Sequence, residues 1–506
     1  MLLLALVLMF VLPYLYVRWQ RKSRSPVSDL PLPPGPPAWP IIGHLNVMPT
    51  SHEWRTYGEW AKIYGDVIQL RIFNKSLIIL GSLDAAKALL DHNTSVTSDR
   101  PHFTMIYDLM GWDWAVQFMG MGPRFLKYRR VVQSLLLPQS TRAFWPALDH
   151  GSRSLLRSLV HDSANIHQHV KDHLGGLMMT VLYGEDEGPT RDKYVELAEE
   201  AMHGLVEAGN IGKFLVDFVP LLRFVPEWVP GAGFQTQARI WRKLARDMIE
   251  IPFADVKKYC DEGTAPASVT KTLLEQQSHS KSNEIDTELV KGAVGVLYVG
   301  GADTSLSALN TFILSMVLHP ECQRRAQAEI DSVVGQNRLP DLSDQASLPY
   351  FDCVFSEVLR WNPGVPLGVP HSVMADCELN GYRIPAGSTI LYNQWTILHN
   401  EDVYPEPFKF IPERWMPEEG KPLPPDSRSA SFGFGRRICP GRHFADSLLW
   451  TMMVRIVAVF DLAKPLDADG NVIEPSGEYL TGLVTHPAPF ACKVTPRSQE
   501  LASLVE

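Results

Sequence analysis

The chain is poor in cysteine: six in 506 residues, at 260, 322, 353, 377, 439 and 492, with no CxxC among them. That excludes a disulfide-stapled scaffold and fits a reducing compartment. It also lacks a basic excess. Lys plus Arg number 47 against 56 Asp plus Glu, a formal net charge of −9, so the molecule as a whole has no electrostatic reason to bind nucleic acid. Internal repeats and a second-domain linker are absent as well. What remains is ordinary globular composition, 45% apolar and 20% charged, in a chain long enough to bury a large core.

The first residues, MLLLALVLMFVLPYLYV, are apolar throughout. As a helix this run of about 17 residues spans roughly 25 Å, enough for a thin bilayer such as that of the endoplasmic reticulum. No positive charge precedes it, whereas Arg18, Arg21, Lys22 and Arg24 follow. The positive-inside tendency then places the N-terminus across the membrane and the rest of the chain in the cytosol. A cleaved signal peptide, the alternative, carries positive charge before its apolar run and small residues at its end. The reading is a transmembrane anchor over residues 1–17, a basic and then proline-rich hinge over 18–45, and one globular body over 46–506. In the hinge, LPLPPGPPAWPIIGH is stiffened by proline and reads as a spacer.

Period-two alternation in VIQLRIF, followed by NK and SLIIL, predicts a hairpin with Ile68, Leu70 and Ile72 on one face. Ser82 caps a short helix. One long helix of roughly 50 Å is expected from Asp286 to His319, stopped by Pro320. Helical pattern dominates to Arg360, strand-like and turn-rich pieces follow to Arg437, and helix returns after Cys439. The loop LRFVPEWVPGAGF (222–234) is apolar; it either dips into a membrane surface or packs on its own domain.

The stretch SFGFGRRICPGRHFA (431–445) sets Cys439 among glycines and arginines, just before a helical pattern with Pro440 read into its first turn. Arg436, Arg437, Arg442 and helix N-terminal amides favour a thiolate, and Gly433, Gly435 and Gly441 let a large flat group approach the backbone. A buried structural cysteine and a redox nucleophile fit the same residues. His443, four residues on, shares a face with Cys439, but zinc requires three or four ligands and no second pair is visible. A single thiolate suffices for haem, whose porphyrin supplies the in-plane ligands. Separately, Gly300 and Gly301 interrupt the long helix at about 1 kcal/mol each, which fits either close helix packing or a helix widened to admit a ligand, with Asp303 and Thr304 passing protons and holding water there.

FGFGRRICPG fits FxxGxRxCxG through Phe432, Gly435, Arg437, Cys439 and Gly441, with Ala445 extending it. It resembles the haem-thiolate loop of the cytochrome P-450 monooxygenases. EVLR (Glu357, Arg360), FIPERW (Arg414) and GGADTS (Gly300 to Ser305) stand in that family's order, and the resemblance covers nearly the whole chain. NQWTILHNEDVYPEPFKFIPERW and LVTHPAPFACKVTPRS resemble fungal members of secondary metabolism, those like O-methylsterigmatocystin oxidoreductase and tryptamine 4-monooxygenase.

The resemblance implies a mainly α fold with small β-sheets, the cytochrome P-450 fold preceded by one transmembrane helix. It implies haem b with Cys439 as axial iron ligand, Phe432 and Gly301 against the cofactor, and Arg437, His371 and Arg129 on its propionates. Phe125 stands where the family usually has tryptophan. Asp303 and Thr304 would be catalytic, while Glu357, Arg360 and Arg414 would form a structural ion network. Implied partners are O2, a membrane, a lipophilic substrate and an NADPH-dependent diflavin reductase, docked on a basic patch of Arg124, Lys127, Arg130, Arg436 and Arg442. Segments 102–122, 362–370 and 481–487 would line the substrate pocket; their apolar character favours a terpenoid over a polyketide or an indole. A haem-thiolate protein that isomerises, dehydrates or only binds its ligand is the alternative to a monooxygenase.

Overall fold

Alternating side chains and a tight turn start the first sheet. Strands β1 (Val67–Ile72) and β2 (Lys75–Leu80) pair antiparallel, with Ile72 opposite Lys75. Ile68, Leu70 and Ile72 are buried on one face, as alternation requires. The two-residue turn is Phe73–Asn74, one residue earlier than the sequence suggested, and Phe73 takes a positive φ of 52°. The computed structural model describes residues 26–505, except 186–187, 210–211 and 280–284. The apolar run 1–17 lies outside the described residues; among those described, no helix is long and apolar enough to cross a membrane.

The proline-rich segment is not a free spacer. It lies along β1: Gln69 donates its amide to the Pro34 carbonyl at 2.9 Å, and His44 bonds both Pro36 and Arg71. Proline there leaves carbonyls as the acceptors available to the strand.

The helices that build the core are α1 (Pro123–Leu135), α2 (Ile166–Tyr183), α3 (Pro189–Ala208), α4 (Gly233–Asp261), α5 (Thr287–Leu318), α6 (Pro349–Trp361) and α7 (Arg442–Val459). Helix α5 runs through the middle, packed against α1, α2, α4, α6 and α7. Its residues from Leu289 to Val299 are buried apart from Lys291, because small or apolar side chains face every neighbour. Asp286 caps it, accepting from the Leu289 amide at 2.8 Å, and Pro320 opens the next helix. After α6 come β3 (His371–Ser372), β4 (Cys377–Leu379), β5 (Tyr382–Ile384) and β6 (Thr389–Tyr392). The main sheet has the order β1-β2-β6-β3, with β2 and β6 parallel. β7 (Phe460–Ala463) and β8 (Lys493–Pro496) pair after α7. The architecture is mainly helical with small sheets.

Glu357 on α6 organises the approach to the cysteine loop. Arg360 donates to it from Nε (2.8 Å) and Nη2 (2.9 Å), and both side chains are fully buried. Arg414 adds Nε at 3.1 Å, Trp415 its indole N–H at 3.0 Å, and Ile411 its amide at 2.9 Å. Arg360 also holds the carbonyls of Leu398 and Lys409. The network ties segment 398–415 to α6 with its donors satisfied, the condition under which a buried ion pair is tolerated. Removing the acid strands two guanidiniums at roughly 3–5 kcal/mol, much of a domain's stability. Glu357→Ala is therefore expected to yield little haem-containing protein. A folded, haem-loaded but slow Glu357→Ala enzyme, measured by absorbance and thermal unfolding, would contradict this role.

Candidate active site

The cysteine loop is held from both sides. Cys439 donates its amide to the Phe432 carbonyl at 2.7 Å, and Arg442 donates to the Cys439 carbonyl at 3.2 Å. Gly435 has φ +54°, and a Cβ there would stand 2.3 Å from the Leu90 carbonyl oxygen. Its glycine is thus demanded by packing on the end of the Ser82-capped helix, Leu83–Leu90, and Gly435 is not among the cavity-lining residues; Gly441 does line the cavity. Pro440 precedes the N-cap Gly441 instead of standing in the first turn of α7. Burial pushes the Cys439 thiol up, outweighing the Gly441 amide and the opposing charges of Arg129 and Arg442. Arg436 faces solvent and takes no part.

Cys439 opens on an internal cavity whose lining includes Arg100, Arg129, His371, Arg437, Phe432, Gly300, Gly301 and Thr304. Three guanidiniums and an imidazole meet there, and no carboxylate is among the described residues that line the cavity. Arg437 donates to the carbonyls of Ser98 (2.7 Å), Met119 (2.7 Å) and Val116 (3.3 Å), and its guanidinium lies 3.6 Å from the centre of the Phe125 ring. Phe125 therefore has a place: it is the stacking surface for Arg437. Burial, with the nearby Arg100 charge, brings Arg437 down to about 8. Arg100 donates to the Val369 and Pro370 carbonyls, while its buried Nε has no partner, and burial brings it down to about 10. Arg129 donates to the Ile438 carbonyl at 2.6 Å. His371, fully enclosed, bonds the Thr97 carbonyl through Nδ1 at 2.9 Å; burial and the two arginines hold it well below its ordinary range. Among the described residues Asp99 is the one carboxylate whose charge favours both Arg100 and Arg437, and it stands outside the cavity lining; buried cations so incompletely balanced are costly, so this set fits a flat ligand bearing two carboxylates beside a thiolate. Haem has that chemistry.

On the opposite wall, α5 stays helical through the glycine pair. A Cβ at Gly300 would meet nothing within 4 Å, whereas one at Gly301 would press on Met178 at 2.9 Å. Gly300 is the opening, and Gly301 is a packing glycine that also touches the cavity. Thr304 donates its hydroxyl to the Gly300 carbonyl at 2.7 Å. Asp303 is not among the cavity-lining residues: its carboxylate accepts from His486 at 3.0 Å. The structure therefore puts Thr304 at the cavity and turns Asp303 to the C-terminal loop.

The cytochrome P-450 family model matches residues 33–494. The chain belongs to the cytochrome P-450 family. It is 39% identical over 492 residues to cytochrome P450 monooxygenase 136 of Postia placenta, covering 97% of this chain and 92% of that one. It is 37% identical to cytochrome P450 monooxygenase ple1 of Rhodocybe pseudopiperita, covering 94% and 91%. Tryptamine 4-monooxygenase of Psilocybe cyanescens is 34% identical over 510 residues, covering 100% and 99%. This cytochrome P-450 is a monooxygenase, with the haem iron, redox partner, substrate and O2 that the family implies.

Sequence reading missed two residues of the site. Arg100 sits in an unremarkable SDRP string far from any motif, and nothing short of the fold brings it to Arg437. His486 gave no signal beyond its place in an apolar loop. The expected basic patch is partly neutralised: Arg124 pairs with Asp113 at 3.2 Å and Lys127 with Asp286 at 2.8 Å, leaving Arg130 and Arg436 exposed. Among the described residues no cluster of three His, Cys, Asp or Glu side chains is placed to hold a metal ion, so His443 gains no zinc partners. Reduced protein under carbon monoxide should show the red-shifted Soret band of thiolate ligation. That band should vanish in Cys439→Ala, and its survival would exclude Cys439 as the ligand.

Proposed function

We propose that this cytochrome P-450 inserts one oxygen atom into a C–H bond of a neutral, largely aliphatic small molecule in fungal secondary metabolism, a terpenoid before a polyketide or an indole. The observation that carries the reading is the cavity wall. Phe118, Met178, Leu182, Leu205, Val299 and Leu483 are among its lining, and among the described lining residues the charged side chains are the arginines of the propionate set. No lining carboxylate pairs with an ammonium group, so a protonated amine of the tryptamine type would enter at the full cost of desolvation.

In this reading Cys439 holds the haem b iron, with Phe432 and Gly301 against the macrocycle. Arg437, Arg100, Arg129 and His371 bind the propionates. Bound there, the haem supplies the redox centre for dioxygen activation. The chain's own contribution is to orient substrate against Gly300, exclude water with aliphatic walls, and move protons. Thr304, its hydroxyl proton committed to Gly300, keeps its oxygen free to accept from a water. Asp303, one residue earlier on the same helix, is the acid that replenishes that proton supply. Electrons come from NADPH through a diflavin reductase docked on the cysteine side, where Arg130 and Arg436 remain exposed for an acidic partner.

We also infer an endoplasmic-reticulum location, with residues 1–17 as a single-pass anchor and a cytosolic catalytic domain. The surface supports it. Leu221, Phe224 and Trp228 are 75%, 69% and 82% exposed, and Ile41 is 81% exposed. Both groups flank the same hairpin, since Gly43 bridges Ile72 and Lys75 holds the Asp217 carbonyl. Two apolar patches around one hairpin present a face that suits a lipid surface.

Microsomes co-expressing the reductase, supplied with labelled O2, should place one label in a neutral sesquiterpene and none in tryptamine. Turnover of tryptamine with no terpene product would overturn the substrate reading. Thr304→Ala should load haem and consume NADPH but release peroxide; unchanged coupling of NADPH to product would remove Thr304 from proton handling. Deleting residues 1–17 should abolish carbonate-resistant membrane association while leaving weaker, wash-sensitive binding. Complete solubility on truncation would count against the loop contact.

A further inference from the structure

Besides the proton supply read above, Asp303 begins a second pattern whose other members the oxygen chemistry does not use. On α5, Asp303, Ser307 and Thr311 recur every four residues and so form one polar stripe. Each rung binds the segment Tyr479–Pro487. His486 donates Nε2–H to Asp303 at 3.0 Å; Ser307 donates its hydroxyl to the Thr485 carbonyl at 2.5 Å; Tyr479 donates its hydroxyl to Thr311 at 3.0 Å. The segment is itself a closed loop, with Leu480 and Ala488 amides bonded to the His486 and Glu478 carbonyls. Between the rungs it presents Leu483 and Val484 to the cavity.

The rungs differ. Ser307 and Thr311 are fully buried and neutral, so breaking their bonds leaves unsatisfied groups. Asp303 and His486 are 22% and 23% exposed, so water can replace their bond. The outer rung is therefore the one that can open without unfolding the others, and it holds His486 two residues beyond Val484 of the cavity wall.

We propose that His486 is a positioning residue: its bond to Asp303 fixes Leu483 and Val484 against the cavity and so sets which long apolar ligands this enzyme accepts. The proposal rests on this cavity being the substrate cavity, as read above. It acts through the wall, since His486 does not line the cavity.

The test uses full-length holoenzyme and N-alkylimidazoles, whose ring nitrogen binds the iron and whose tail reaches the wall only when long. Binding is read from the Soret shift. In His486→Phe the decyl ligand should bind roughly five- to tenfold more weakly, while methylimidazole is unchanged. His486→Gln, which keeps an N–H donor, should restore decyl affinity. Asp303→Ala combined with His486→Phe should lose no more than the larger single loss, because both cut one bond. Equal decyl affinity in wild type and His486→Phe would overturn the proposal, as would fully additive losses. If the cavity reading itself fails, wild-type enzyme will show no preference for decyl over methyl tails. If only proton supply runs through Asp303, Asp303→Ala will lower product per NADPH and leave decyl affinity unmoved.

Discussion

Three guanidiniums and an imidazole share one cavity with no carboxylate among the described residues that line it, and the surrounding structure is arranged to tolerate that. Arg437 is satisfied by three carbonyls and a phenyl face, Arg100 by two carbonyls, and Arg129 by the carbonyl next to the cysteine. Carbonyl dipoles hold the side chains in place without cancelling their charge. Burial accordingly pulls Arg437 and Arg100 well below the ordinary arginine range. A folded chain that keeps such a cluster is poised for a dianion, and the thiol of Cys439 on the same cavity names the rest of the ligand. The elements that supply these residues come from both ends of the sequence, so the cluster exists only when α1, the 98–101 stretch, β3 and the cysteine loop all meet.

The Glu357 network is what brings the last of these into line. It fixes the irregular segment 398–415 on α6 immediately before the chain enters the cysteine loop. Ser427 then bonds the Ser356 carbonyl one residue from Glu357, and Gln394 holds the carbonyls of Ala430 and Ser431. Scaffold and cofactor site are thus mechanically continuous, although Glu357 lies outside the cavity lining.

Much of this was legible in the amino-acid string where short-range physics decides the outcome. The hairpin, the Ser82 cap, the long central helix and the cysteine loop all follow from periodicity, capping and motif spacing within a few residues. The rest depended on contacts between distant segments. Arg100 reaches Arg437 across more than three hundred residues. Phe125 reads as a departure from a family pattern until its ring is found under that guanidinium. Asp303 and Thr304 look alike as neighbours on a helix, yet 100° of rotation sends one to His486 and the other to the cavity. The reason for Gly435 was likewise misread, because the Leu90 carbonyl that excludes a side chain there is invisible locally.

The central claim is that buried cations outnumbering the nearby Asp99 carboxylate recognise the two carboxylates of haem. Its most direct measurement is the affinity of the apoprotein for haem beside that for haem dimethyl ester, in the same detergent. The ester keeps the macrocycle and iron but carries no charge on its side chains. This account predicts at least roughly tenfold weaker binding of the ester, with the difference shrinking in Arg437→Met and Arg100→Met. Equal affinity for haem and its ester in the wild-type protein would contradict it.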